Sequence, residues 1–256
     1  LAQLGPPAAE AAGGLQELIT RDAPQVRYLA LAALRKVDPD GARQEFDPGA
    51  IAQALNACQE GGAQELLLRM AAFPPRQPEF LQAKDRLLAL ADSKDQRTRE
   101  LAAVVLGRLG LAAQRVLPIV LEMAKSGDSP GEGDAPYAPG SRVGALEALG
   151  ELGPAAREAI PVLLEAAKDA SDFIAEQAVI ALGRIGAPDA GVVQALMEII
   201  RTHPNWHMHR NAAQALGRLG PPAETALPVL REAQQSERDY ILRLRATEAI
   251  QRILRK

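Results

Sequence analysis

Ala215-Leu216-Gly217-Arg218-Leu219-Gly220-Pro221 is the stretch on which the fold turns. Close variants occur at Leu106-Gly107-Arg108-Leu109-Gly110, Leu149-Gly150-Glu151-Leu152-Gly153-Pro154 and Leu182-Gly183-Arg184-Ile185-Gly186. Each is the end of a longer pattern: an alanine, a large aliphatic residue four positions on, and another three positions later. The sets are Ala30/Leu34/Val37, Ala63/Leu67/Met70, Ala102/Leu106/Leu109, Ala145/Leu149/Leu152, Ala178/Leu182/Ile185, Ala212/Leu216/Leu219 and Ala246/Ile250/Ile253. That spacing marks one face of an α-helix. The final glycine of each run suits a left-handed residue just past a helix end, and a following proline starts the next helix.

The residues after the sets are separated by 33 or 34 positions, with two larger intervals of 39 and 43. A fixed period of this length predicts an all-α solenoid built from stacked helix pairs. The second helix of a pair runs through Ala159–Ala167 in one unit and Ala226–Ala233 in another, with Ile160/Leu163, Val193/Leu196 and Leu227/Leu230 facing inward. Pro118, Pro161 and Pro228 recur at one repeat position, and the expectation is that they bend this second helix. The motif alanines, together with Gly107, Gly183 and Gly217, are small enough to let neighbouring helices approach closely.

The Ala-Leu-Gly-Arg-Leu-Gly-Pro run, the recurring proline, and an arginine repeated at Arg27, Arg99, Arg142 and Arg243 together resemble HEAT repeats of the short bacterial kind. The resemblance implies about seven helix pairs in a right-handed superhelix spanning residues 1–256 as one domain, with the motif helices lining its concave side. It also implies a scaffold that binds other molecules. Residues 39–80 depart most from the pattern. Leu1 and Leu4 fill the last two motif positions, so the expectation is a fragment of a longer chain that opens inside a helix.

Composition narrows the function. Aromatic residues make up 3% of the chain, so the core is aliphatic, and the net charge of −3 gives no general attraction to nucleic acid. No stretch has the apolar length of a membrane span. The single Cys58 excludes an internal disulfide and reads as a small buried apolar residue. No nucleotide-binding, nucleophile-elbow or paired-cysteine motif is present. No cofactor, metal or catalytic residue is assigned, and the leading function is a non-enzymatic scaffold for a protein or peptide partner.

Three places are candidates for that function. One is a basic ladder at the penultimate motif position: Lys36, Arg69, Arg108, Glu151, Arg184, Arg218 and Arg252. Stacked repeats turn such a position into a stripe, although a cation in the last helical turn also complements the helix dipole. The second is the segment 203–209, which holds all three histidines and the only tryptophan. His207 and His209 point to different sides of a helix start, which argues against a zinc site, and Trp206 offers a partner hot spot. The third is the Gly/Pro-rich insertion at 126–141, where Tyr137 would anchor a partner. The partner-binding residues expected from this reading are Arg108, Glu147, Arg184, Trp206, Arg218 and Arg252. The alternatives are nucleic-acid or phosphate binding through the ladder, and a HEAT-like enzyme of lyase or glycosylase type, for which Glu147 and Trp206 would be the residues breaking the repeat.

Overall fold

The computed structural model describes residues 47–71, 73, 76–126, 142–187, 189–236 and 239–255. The first motif set, Lys36 and the insertion residues 127–141, including Tyr137, lie outside them. The described elements are all helical: α1 (Pro48–Ala57), α2 (Glu60–Ala71), α3 (Lys84–Leu90), α4 (Gln96–Arg108), α5 (Ala113–Lys125), α6 (Arg142–Leu152), α7 (Ile160–Ala166), α8 (Asp172–Ile185), α9 (Ala190–Thr202), α10 (Trp206–Leu219), α11 (Leu227–Gln234) and α12 (Tyr240–Leu254). Short 3-10 segments occupy Pro78–Ala83, Gly153–Ala159 and Pro221–Ala226. The protein is an all-α solenoid.

Its contacts fall into two compact units. Of the described helices, the first unit holds α1–α4 and the start of α6. There α2 and α3 pack on α4, and α1 packs on the Pro78–Ala83 segment. Phe73 and Phe80 meet edge to face, with ring centres 5.2 Å apart, in a core that is otherwise aliphatic. The second unit holds α5, the rest of α6 and α7–α12. In it the motif helices α8, α10 and α12 lie in succession, and α7, α9 and α11 pack on them as the second helices of the pairs.

The motif faces are buried as the spacing requires. Ala145, Leu149, Ala178, Leu182, Ile185, Ala212, Leu216 and Ala246 are all essentially inaccessible to solvent. The predicted glycine turns are also present. Gly186 ends α8 in the left-handed conformation at φ 64°, ψ 21°. Gly220 leaves α10 at φ 67°, ψ −143°, a combination that only glycine adopts at low cost.

The recurring proline is a partial correction. Pro118 does sit inside α5. Pro161 and Pro228 instead occupy the first turns of α7 and α11, after the 3-10 segments have brought the chain around. At those positions the missing N–H removes no helical hydrogen bond, so proline starts the helix rather than bending it. The turn itself is made earlier, where Ala156 (φ −96°, ψ 22°) and Ala223 (φ −91°, ψ 21°) depart from helical geometry. Cys58 is a second correction. It is half-buried at the end of α1, with its Sγ 3.3 Å from the Leu55 carbonyl, rather than in the core.

Successive motif helices of the second unit are fastened at both ends. Near the start of α10, Asn205 donates to Asp172 at 2.8 Å and Asn211 to Glu176 at 2.9 Å, both on α8. Near the end, a Cβ on Gly183 would lie 2.7 Å from Ala215 Cα. The same relation recurs one step on, where a Cβ on Gly217 would lie 2.8 Å from Ala249 Cα, and one step back, where Gly150 faces Ala181 Cα at 3.1 Å. The paired Cα atoms are therefore about 4 Å apart, given a single bond of about 1.5 Å from Cα to Cβ. With Cα atoms about 2.3 Å from each helix axis, the axes approach to about 8–9 Å where they touch, close to the lower limit for packed helices.

This contact gives a paired stability test. Gly183→Ala gains about 1 kcal/mol in helix propensity but drives a methyl into the backbone of α10, which costs about 1–3 kcal/mol. The expected net result is a lower midpoint of thermal unfolding by circular dichroism. Gly61→Ala in α2, where a Cβ meets nothing within 4 Å, should leave the midpoint unchanged or raise it.

Candidate functional site

The ladder residues share a sequence position but not an environment. Arg69, in the first unit, is exposed and pairs with Glu65 one turn earlier on its own helix, at 3.1 Å. Arg108 is buried. Its Nη2 donates to the Phe73 carbonyl at 2.8 Å, and its own carbonyl accepts from the Arg76 backbone N–H at 3.0 Å. It therefore closes the turn between α2 and the Pro78–Ala83 segment, a role that its place in the repeat gave no means of foreseeing.

In the second unit the ladder becomes continuous. Glu151, Arg184, Arg218 and Arg252 stand near the ends of α6, α8, α10 and α12. Each of the first three immediately follows one of the close-contact glycines, so the tight helix approach brings these side chains together. Glu151, only 8% exposed, takes an ion pair from Arg184 at 2.7 Å. Arg218 makes no hydrogen bond or ion pair among the described residues. Partial desolvation pushes its guanidinium below its ordinary value, and the charges of Arg184, Arg252 and Arg245 push the same way against the pull of Glu151. It remains charged, as arginine does throughout the accessible pH range. Arg245 is itself paired with Glu248 at 3.1 Å. The arrangement is a row of cations with one carboxylate at its α6 end, and at Arg218 the neighbouring cations outweigh the pull of Glu151.

Trp206 is not part of this row. It opens α10, whereas Arg218 is near the other end of the same helix, twelve positions and about 18 Å away. Its indole is 47% exposed. The His207 ring stacks on it at 3.4 Å and the Arg210 guanidinium lies 3.5 Å from the ring centre. The two groups engage the ring within its own helix and leave the rest of the indole open. Arg210 continues to Asp239, the N-cap of α12, with Nε–Oδ2 at 2.8 Å and Nη2–Oδ1 at 2.7 Å. Glu147 is half-buried on α6 and engaged in the fold.

The histidine segment has a structural explanation. His209 Nε2 donates to the His203 carbonyl at 2.6 Å. At the same repeat position Arg99 holds the Ser93 carbonyl at 2.7 Å and Arg243 holds the Ser236 carbonyl at 2.7 Å. All three tie down the link that enters a motif helix, so His209 performs the arginine's task. Among the described residues no group of three His, Cys, Asp or Glu side chains could hold a metal ion. No single described helix is long and apolar enough to cross a membrane.

Comparison with known proteins agrees with this geometry. A family model described as HEAT repeats matches residues 138–201 and 188–251. No curated protein matches the sequence. Among solved structures, a designed armadillo repeat protein in complex with the peptide (KR)4 is similar at a TM-score of 0.56 and 16% identity, covering 80% of this chain and 98% of that one. A second designed armadillo repeat protein has a TM-score of 0.55 at 16% identity, covering 80% and 99%. A computationally designed set for modular peptide recognition gives 0.52 at 15% identity, covering 79% and 98%. At these identities the likeness establishes the fold alone.

The Arg210–Asp239 pair yields a pH prediction. Burial alone would raise the Asp239 carboxyl, but the Arg210 hydrogen bonds, the Leu242 and Ile241 backbone N–H groups and the Arg210 charge together hold it below its ordinary 3.8. A carboxylate with a depressed native pKa stabilises the fold above its unfolded value and loses that contribution as pH falls through the native one. Asp239→Asn should therefore cost about 1–3 kcal/mol at neutral pH. In urea unfolding, the difference from wild type should shrink as pH drops below 3.8.

Proposed function

We propose that this protein is a non-enzymatic scaffold that binds an acidic segment of a partner protein along Arg184, Arg218 and Arg252. The observation that carries the reading is Arg218, an exposed cation held between two others without a carboxylate of its own. Other polar groups of the motif helices are used by the fold: Asp172, Glu176 and Asp239 on bonds between helices, Arg243 and His209 on backbone carbonyls. Three cations in a row on stacked helices form a preorganised stripe, which lowers the ordering cost of binding. The designed armadillo protein solved with (KR)4 takes a basic peptide. The row here is itself cationic, so it would repel such a peptide and favour acids.

Fluorescence anisotropy of labelled octaglutamate at low ionic strength tests this. Wild-type protein should bind it, and Arg218→Glu should weaken binding about tenfold or more. Arg231→Glu, an exposed substitution on α11 that changes charge equally, should have little effect. Equal losses from both variants, or no binding by wild type, would overturn the reading. An oligothymidine probe that outcompetes the peptide, with a steep salt dependence, would instead identify the row as a nucleic-acid surface.

A further inference from the structure

The spacing of the row carries more information than its charge, and the peptide register drawn from that spacing rests on the proposal that the row binds acids. Helices α8 and α10 run alongside each other in the same direction, fastened at the start by Asn205 and Asp172 and at the end by Gly183 and Ala215. Helix α12 continues the series through Arg210–Asp239 and Gly217–Ala249. Arg184, Arg218 and Arg252 each lie close to these Gly–Ala contacts. At the backbone the step from one to the next is therefore about one interaxial distance, about 8–9 Å, with the Arg184 side chain leaning back toward Glu151 on α6.

A bound peptide must present its acids at that step. In a β-strand, side chains on one face repeat about every 6.7 Å, short of the step. In a polyproline II helix three residues advance about 9.3 Å and complete one turn, so every third side chain returns to the same side. Both the advance and the direction then match the row. The carboxylate at the α6 end adds a polarity. Glu151 already neutralises Arg184 at 2.7 Å, so the firm anchors are Arg218 and Arg252.

We infer that the row reads a peptide in the polyproline II conformation with acidic residues at every third position, and that Glu151 weakens the reading at its Arg184 end. Such a peptide is preordered, so less conformational entropy is lost when it docks. Arginine side chains are long and tolerate some mismatch, so the register governs preference rather than absolute binding.

The test compares two labelled decapeptides of identical composition, four glutamates and six prolines. In one, (Glu-Pro-Pro)3-Glu, the acids fall every third residue. In the other, Glu-Pro-Glu-Pro-Glu-Pro-Glu-Pro-Pro-Pro, they fall every second. The first should bind roughly fivefold more tightly by anisotropy. With that peptide, Arg218→Ala should cost more affinity than Arg184→Ala, and Glu151→Gln should tighten binding by releasing Arg184. Equal affinity for the two peptides, or tighter binding of the second, would overturn the register while octaglutamate binding keeps the scaffold reading intact. Loss of binding to all three probes would remove both. Circular dichroism of each variant confirms that the helices are retained.

Discussion

The contact between a motif-helix glycine and the alanine of the next motif helix is the constraint on which the second unit depends. Three successive pairs, Gly150–Ala181, Gly183–Ala215 and Gly217–Ala249, place backbones so close that a single methyl group would collide in two of them and crowd the third. Dispersion and burial of aliphatic surface favour the approach, and small residues permit it. The low aromatic content follows from the same condition, because large rings between these helices would force them apart.

Polar groups then have two kinds of work. Most hold the stack in register. Asn205 caps α10 and reaches back to Asp172, Asp239 caps α12 and is held by Arg210, and Asp95 caps α4 while accepting from Gln64 of α2. The Thr98 side-chain hydroxyl and backbone N–H, both donating to the Asp95 carboxylate, hold it below its ordinary range. The same geometry serves both units: an N-cap satisfies the orphan N–H groups of its own helix and also bonds to the preceding motif helix. Arg218 stands apart from these bonds, because there charge gathers without a hydrogen bond or ion pair among the described residues.

One repeat position thus has three outcomes. Arg69 is compensated by a carboxylate one turn away, Arg108 is drawn inward by an uncapped carbonyl, and Arg218 is left between like charges. The difference lies in what the neighbouring segments offer. Near Arg108, Phe73 lies outside the helices and offers a carbonyl that needs a donor. Around Arg218 the pattern is unbroken, and the side chain makes no hydrogen bond or ion pair among the described residues.

The sequence by itself determined the helix pairs, their inward faces and their glycine ends, because these follow from local spacing and from the backbone needs of a helix terminus. It also marked Gly183 and Gly217 as places of close approach, since a small residue repeated inside an apolar face has few other uses. The fate of the charged positions was decided by tertiary structure alone. The sequence could not separate Arg108 from Arg218, place the Trp206 ring against His207 and Arg210, or show that His209, at a repeat-arginine position, holds the His203 carbonyl. Each of those outcomes depends on which carbonyl, carboxylate or ring another part of the chain brings within about 3 Å, and one-dimensional spacing does not carry that information.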